Sequence, residues 1–166
     1  MKSTEAKNEL EVTTPSDCEI VMTRLFDAPR TLIFDAVTKP ELIRRWLLGP
    51  DGWSMPICEV DLKEDGTFHY VWRSDTGDKQ FGINGVYREI VRPERIVHIE
   101  KFDEAWYPGE AVVTTALFED RGKTTLTMTI LHESREARDI ALESGMEKGV
   151  AISYDRLESI LESPAA

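Results

Sequence analysis

Hydrophobic positions follow two different periods along this chain. From Ser134 to Leu161, the residues Met146, Val150, Tyr154, Leu157 and Leu161 recur at three- and four-residue steps. That spacing predicts one apolar helix face and leaves Glu147, Lys148, Asp155, Arg156 and Glu158 largely to water. Within the stretch, Ser144-Gly145-Met146-Glu147 has capping-box spacing, and a glycine in a helix interior costs about 1 kcal/mol against alanine. The pattern therefore predicts a short helix over Arg135–Glu143, a break, and a gripping helix over Met146–Leu161.

Upstream the period shortens to two. Glu19 to Phe26 reads as the first strand, with Ile20, Met22 and Phe26 on one side. Pro29 suits a helix start and predicts a short helix over Arg30–Val37. Thr38-Lys39-Pro40-Glu41 has capping-box spacing and predicts a second helix through Leu42, Ile43 and Trp46, stopped by Gly49-Pro50. Turn residues then divide the chain into strands near Ser54–Asp61, Thr67–Arg73, Gln80–Val91, Arg95–Phe102, Ala111–Glu119 and Lys123–Leu131. Connections this short force antiparallel neighbours. The fold class is α+β, a sheet of about seven strands with one face free for the final helix. Residues 1–17 read as a polar, flexible tail with a candidate short strand at Glu9 to Thr13, residues 18–162 as one domain, and 163–166 as a C-terminal tail.

Composition narrows the function classes. Twenty Lys and Arg against thirty-one Asp and Glu give a formal charge of -11, which repels nucleic-acid backbones and anionic membrane surfaces. No apolar run is long enough for membrane insertion, and Met1 to Glu9 lacks the apolar core of a secretory signal, so a cytoplasmic location is expected. Cys18 and Cys58 read as reduced thiols. No metal is expected, because His69, His98 and His132 are dispersed and neither cysteine has ligand spacing. A nucleophile elbow, a P-loop and a dinucleotide fingerprint are absent, and no cofactor is expected. Gly82-Ile83-Asn84-Gly85 matches the Gly-x-x-Gly of an RNA-binding module, but it falls inside a strand of an acidic chain and is read as coincidence.

Arg24-Leu25-Phe26-Asp27-Ala28-Pro29-Arg30, followed by Phe34, Ala36, Pro40, Trp46 and Gly49-Pro50, resembles the signature of the heat-shock-protein-90 ATPase activator homologues in the START-like superfamily. Asp61 with Gly66, Gly85 to Ile90 running into Pro93 to Val97, and Thr124 to Thr127 extend the resemblance, which covers Glu19 to Leu161. It implies a helix-grip fold, a curved antiparallel sheet cradling the C-terminal helix with a cavity between them closed by the two short helices. It implies no shared catalytic set. Members are mostly small-molecule binders or proteins of unknown role, with a few cyclases or aromatases among relatives. Eukaryotic activators attach this module to an N-terminal domain that makes the main chaperone contact; this sequence shows no counterpart, so the resemblance does not carry chaperone activation over. Where relatives often show Gly-Trp in the last helix, this chain has Gly149-Val150, which implies a larger pocket.

Candidate site residues follow from strand faces. Phe68, Tyr70 and Trp72 alternate with His69, Val71 and Arg73 and share one face. Together with the resemblance, they predict that a small apolar or amphipathic molecule is held by Trp46, Tyr70, Trp72, Phe81, Trp106, Met128, Met146 and Val150. A second reading is an interaction module that docks on a chaperone or other protein. A third is an enzyme using the same cavity, with His98, Glu100, Tyr70 or Arg73 as acid, base or anion partner. Ile96, His98, Glu100 and Phe102 form one face of their strand, and the pattern leaves open whether that face points inward. A homodimer through exposed strand edges or helices is a further candidate.

Overall fold

The computed structural model describes residues 8–162, so the expected tail at 163–166 and the start of the N-terminal tail lie outside it. The chain runs β1 (Glu11–Thr13), β2 (Glu19–Phe26), α1 (Arg30–Thr38), α2 (Pro40–Trp46), β3 (Trp53–Val60), β4 (Thr67–Ser74), β5 (Gln80–Val91), β6 (Arg95–Phe102), β7 (Ala111–Asp120), β8 (Lys123–His132), α3 (Arg135–Glu143) and α4 (Met146–Glu162). All eight strands form one sheet in the order β1-β2-β8-β7-β6-β5-β4-β3. The strand beyond the seven expected is β1, the short one anticipated near Glu9 to Thr13. β3 to β8 are a meander, β2 pairs antiparallel with β8, and α1 and α2 carry the chain from β2 to the opposite edge at β3.

Two edge features bound this sheet. β1 has only three residues, and β3 carries Pro56 within a register shift between Ser54 and Ile57.

Helix α4 is gripped by strands from across the sheet. Tyr154 and Leu157 share one buried cluster with Phe26 of β2, Phe68 of β4, Tyr87 of β5 and Leu126 of β8. Fully burying side chains of this size is worth about 1.5–3 kcal/mol each. A second cluster packs α3 through Ala137 and Ala141 onto Ile20, Met22, Val113 and Ile130. A third packs Ile43 of α2 on Met55 and Cys58 of β3. Register settles the direction of β6. His98 and Glu100 pair with the buried Val113 and Ala111 of β7, and His98 also pairs with the buried Tyr87, so Ile96, His98, Glu100 and Phe102 face inward. Among the described residues, no helix is long and apolar enough to cross a membrane.

Both expected capping boxes give way to other contacts. At α2 the N-cap is Lys39, extended at φ -93° and ψ 120°, and Pro40 takes the first helical position. Proline disfavours helical backbone at the preceding residue, so the start moves past Thr38. Thr38 instead closes α1, its hydroxyl donating to the Phe34 carbonyl at 2.7 Å. The break before α4 forms where expected, with Gly145 at φ +80°, a region that favours glycine. Ser144 Oγ accepts from Met146 N–H at 3.2 Å, while the Ser144 N–H is bonded to the Ile140 and Ala141 carbonyls of α3. Glu147 therefore has no free N–H to reach back to, and its Oε1 is buried without a protein partner.

The charges of α4 are less free than periodicity implies. Arg24 occupies the inward face of β2 between Met22 and Phe26, with a side chain only 1% exposed, and pairs with Asp155 at 3.0 Å and with Glu158. Arg156 donates to the Gly49 carbonyl at 3.0 Å and pairs with Asp51 at 3.2 Å. The first ties the helix to β2, the second to the loop after α2.

Candidate ligand pocket

A cavity of about 800 Å³ opens between β4–β6, the loop after α2 and the first turns of α4. Its aromatic wall grows out of strand alternation. Trp72 of β4 and Phe81 of β5 are directly opposite in register, and their rings stack at 5.0 Å. Trp53 of β3 meets Phe81 edge-on at 5.5 Å, and Phe102, ending β6, meets Trp106 of the following loop at 5.2 Å. Trp72 Nε1 donates to the Leu47 carbonyl at 2.7 Å, fixing both the indole and the loop that covers it. The Gly49 N–H donates to Ser153 Oγ at 2.9 Å, joining that loop to α4.

Of the expected ligand-binding residues, Trp72, Phe81, Trp106, Met146 and Val150 line this cavity. Trp46, Tyr70 and Met128 do not line it. Trp46 is buried beside Tyr154, its Nε1 donating to the Ala36 carbonyl at 2.8 Å. Tyr70 lies within the ring cluster, 5.0 Å from Phe68, and Met128 packs between the two larger cores. Leu47, Trp53, Phe102 and Ser153 also line the cavity without having been singled out from sequence. Trp53 precedes the expected start of its strand at Ser54, Phe102 belongs to the β6 face whose direction alternation leaves open, and Leu47 depends on how the chain crosses from α2 to β3.

None of the candidate catalytic residues lines the cavity. His98 Nε2 and Glu100 Oε1 are 2.7 Å apart on the inner face. Arg73 is on the outer face, its Nε donating to the Gln80 side chain at 3.0 Å. Burial first, then neighbouring acidic groups, push the Tyr70 phenol well above its ordinary range, and burial pushes Tyr87 up to about 12. Both are neutral hydrogen-bonding groups at neutral pH rather than bases. Burial likewise raises the Cys58 thiol to about 11, well away from a reactive thiolate.

His132 is the least satisfied polar side chain near this face. It is 4% exposed, neither ring nitrogen has a protein partner, and the Tyr107 ring meets it edge-on at 4.9 Å. Burial lowers its pKa; Glu100 opposes that effect and Arg138 adds to it. A folded-state pKa below the unfolded value of about 6.5 means that stability is complete above that pH and falls as the unfolded chain takes up the proton. Urea midpoints for wild type are therefore expected to fall between pH 8 and pH 5, with a shallower slope in His132→Gln. Equal slopes would show that His132 does not couple protonation to folding.

Several solved structures share this architecture. One from Rhodobacter sphaeroides is 29% identical over 93% of this chain and 99% of its own, with a TM-score of 0.87. A Mycobacterium smegmatis protein is 19% identical, covers 91% and 97% respectively, and has a TM-score of 0.78. An AHSA1-like protein from Aeromonas hydrophila is 17% identical over 84% and 92%, with a TM-score of 0.67. The last two likenesses show the fold alone. No curated protein matches the sequence. The family model for the Activator of Hsp90 ATPase homolog 1-like protein matches residues 27–162, nearly the whole helix-grip domain, and the chain belongs to that family.

Proposed function

We propose that this protein is a cytoplasmic carrier or sensor that binds a small apolar or amphipathic molecule between the sheet and the start of α4. The observation that carries this reading is a pair of large rings left open at the cavity, Phe81 at 46% and Trp106 at 40% exposure. Large apolar side chains beside a concave space of this size are the ordinary composition of a small-molecule site. The interaction-module reading rests on the family description and on the acidic net charge, which could meet a basic partner. The cyclase-like reading rests on His98 and Glu100, which lie off the cavity.

Val150 provides the test. It lines the cavity while also packing against both larger core clusters, so a tryptophan there would project its added ring into the cavity. A thermal-shift screen of lipids, aromatic polyketides and flavonoid-like compounds should yield ligands that stabilise wild type, by about 2.7 kcal/mol at a hundredfold excess over Kd. Val150→Trp should keep the wild-type melting temperature within a few degrees and weaken those ligands by at least about tenfold, or about 1.4 kcal/mol. Absence of any ligand, or unchanged affinity in Val150→Trp, would remove this reading.

A further inference from the structure

The charged groups around the cavity all have one sign. Asp103 and Glu104 line it, and no Lys or Arg does. Two guanidiniums come near and are already engaged. Arg156 is held by Asp51 and the Gly49 carbonyl, and Arg73 by the Gln80 side chain. Glu104 is the carboxylate left to the cavity, because that of Asp103 is held on the outer sheet face, accepting from Asn84 Nδ2 at 2.6 Å and lying 2.8 Å from His69 Nε2, a cross-strand pair that points away from Trp72 and Phe81. Gly82 is what admits Asp103 to that face, because a Cβ at Gly82 would stand 2.2 Å from Asp103 Oδ2.

Aromatic rings reinforce the same sign. Trp53, Trp72, Phe81, Phe102 and Trp106 all line the cavity, and ring faces carry the negative end of the aromatic quadrupole. An ammonium among these rings gains cation–π attraction as well as attraction to the Glu104 carboxylate. A carboxylate or sulfate head there meets the like charge of Glu104 with no base to answer it, on a chain of net charge -11.

We infer that the cavity selects a cationic amphiphile, an amine or quaternary ammonium carried on an apolar body, over neutral and anionic counterparts. This rests on the reading that the cavity holds a ligand, and it specifies the ligand's chemistry. The apolar body lies along Met146 and Val150, and the cationic head sits between the rings of Phe81 and Trp106 and the carboxylate of Glu104.

Three probes of equal chain length test it below their micelle concentrations by calorimetric titration: decyltrimethylammonium, neutral decyldimethylphosphine oxide and decanoate. The cation is expected to bind at least about tenfold more tightly than the neutral probe, with decanoate weakest. Glu104→Gln should narrow the gap between cation and neutral probe while leaving the neutral affinity in place, and added salt should narrow it further. If all three bind alike, or decanoate binds most tightly, the charge selection is wrong and the ligand-binding reading stands. If none of the three binds while other apolar compounds do, the selection again falls alone. If nothing binds, both fall together.

Discussion

Converting Asp155 and Glu158 together to Asn and Gln is expected to destabilise the protein by about 3–5 kcal/mol, while Arg24→Met costs about 1–2 kcal/mol. The asymmetry comes from which side of the ion pair can return to water. The Asp155 side chain is 51% exposed and that of Glu158 21%, whereas that of Arg24 is 1% exposed. Removing the guanidinium leaves two carboxylates that rehydrate. Removing the carboxylates leaves a cation enclosed by the core, with an Nε that is already buried and unpartnered. Urea unfolding of the two variants against wild type checks this. A double amide variant milder than Arg24→Met would mean that water reaches Arg24 from the α4 side.

Gly85→Ala is expected to cost about 2–3 kcal/mol, the upper part of the overpacking range, because one of the clashing atoms belongs to the backbone. A Cβ at this position would stand 2.2 Å from the Ile99 carbonyl oxygen and 2.5 Å from Phe68 Cε1. Phe68 has little room to withdraw, since its ring centroid is 5.0 Å from that of Tyr70, 5.4 Å from Tyr87 and 4.9 Å from His98. Relief would have to come from separating β5 from β6. Thermal or urea unfolding gives the cost, and a change within about 0.5 kcal/mol would show that the ring cluster repacks freely.

Gly82 and Gly85 also show where sequence reasoning stops. As a Gly-x-x-Gly match they resemble a nucleic-acid loop, and the acidic charge argues against that use. Their steric reasons, Asp103 folding across one and Phe68 crossing the other, exist only once the strands are paired. Strand and helix limits were mostly legible, because alternation and turn residues are local signals. The break at Gly145 was legible for the same reason. The start of α2 was misread because Thr38 and Glu41 satisfy a spacing rule that Pro40 overrides. Arg24 was hidden in another way: it holds a core position in an alternating strand, and only the carboxylates of α4, more than a hundred residues later, explain a charge there. The direction of β6 required its register with β5 and β7. Of the five aromatic residues in the wall, only Trp72 belongs to the alternating rings of β4, whereas the place of Trp53 and Phe102 follows from strand pairing.

The two blunted edges bear on assembly. A strand added from another copy would find three paired residues at β1, and at β3 a proline and a slipped register instead of a continuous row of donors and acceptors. Joining two sheets into one would therefore form few ladder bonds at either end. Self-association through either sheet edge is thereby disfavoured, and the same blunting guards an acidic single-sheet protein against edge-to-edge aggregation.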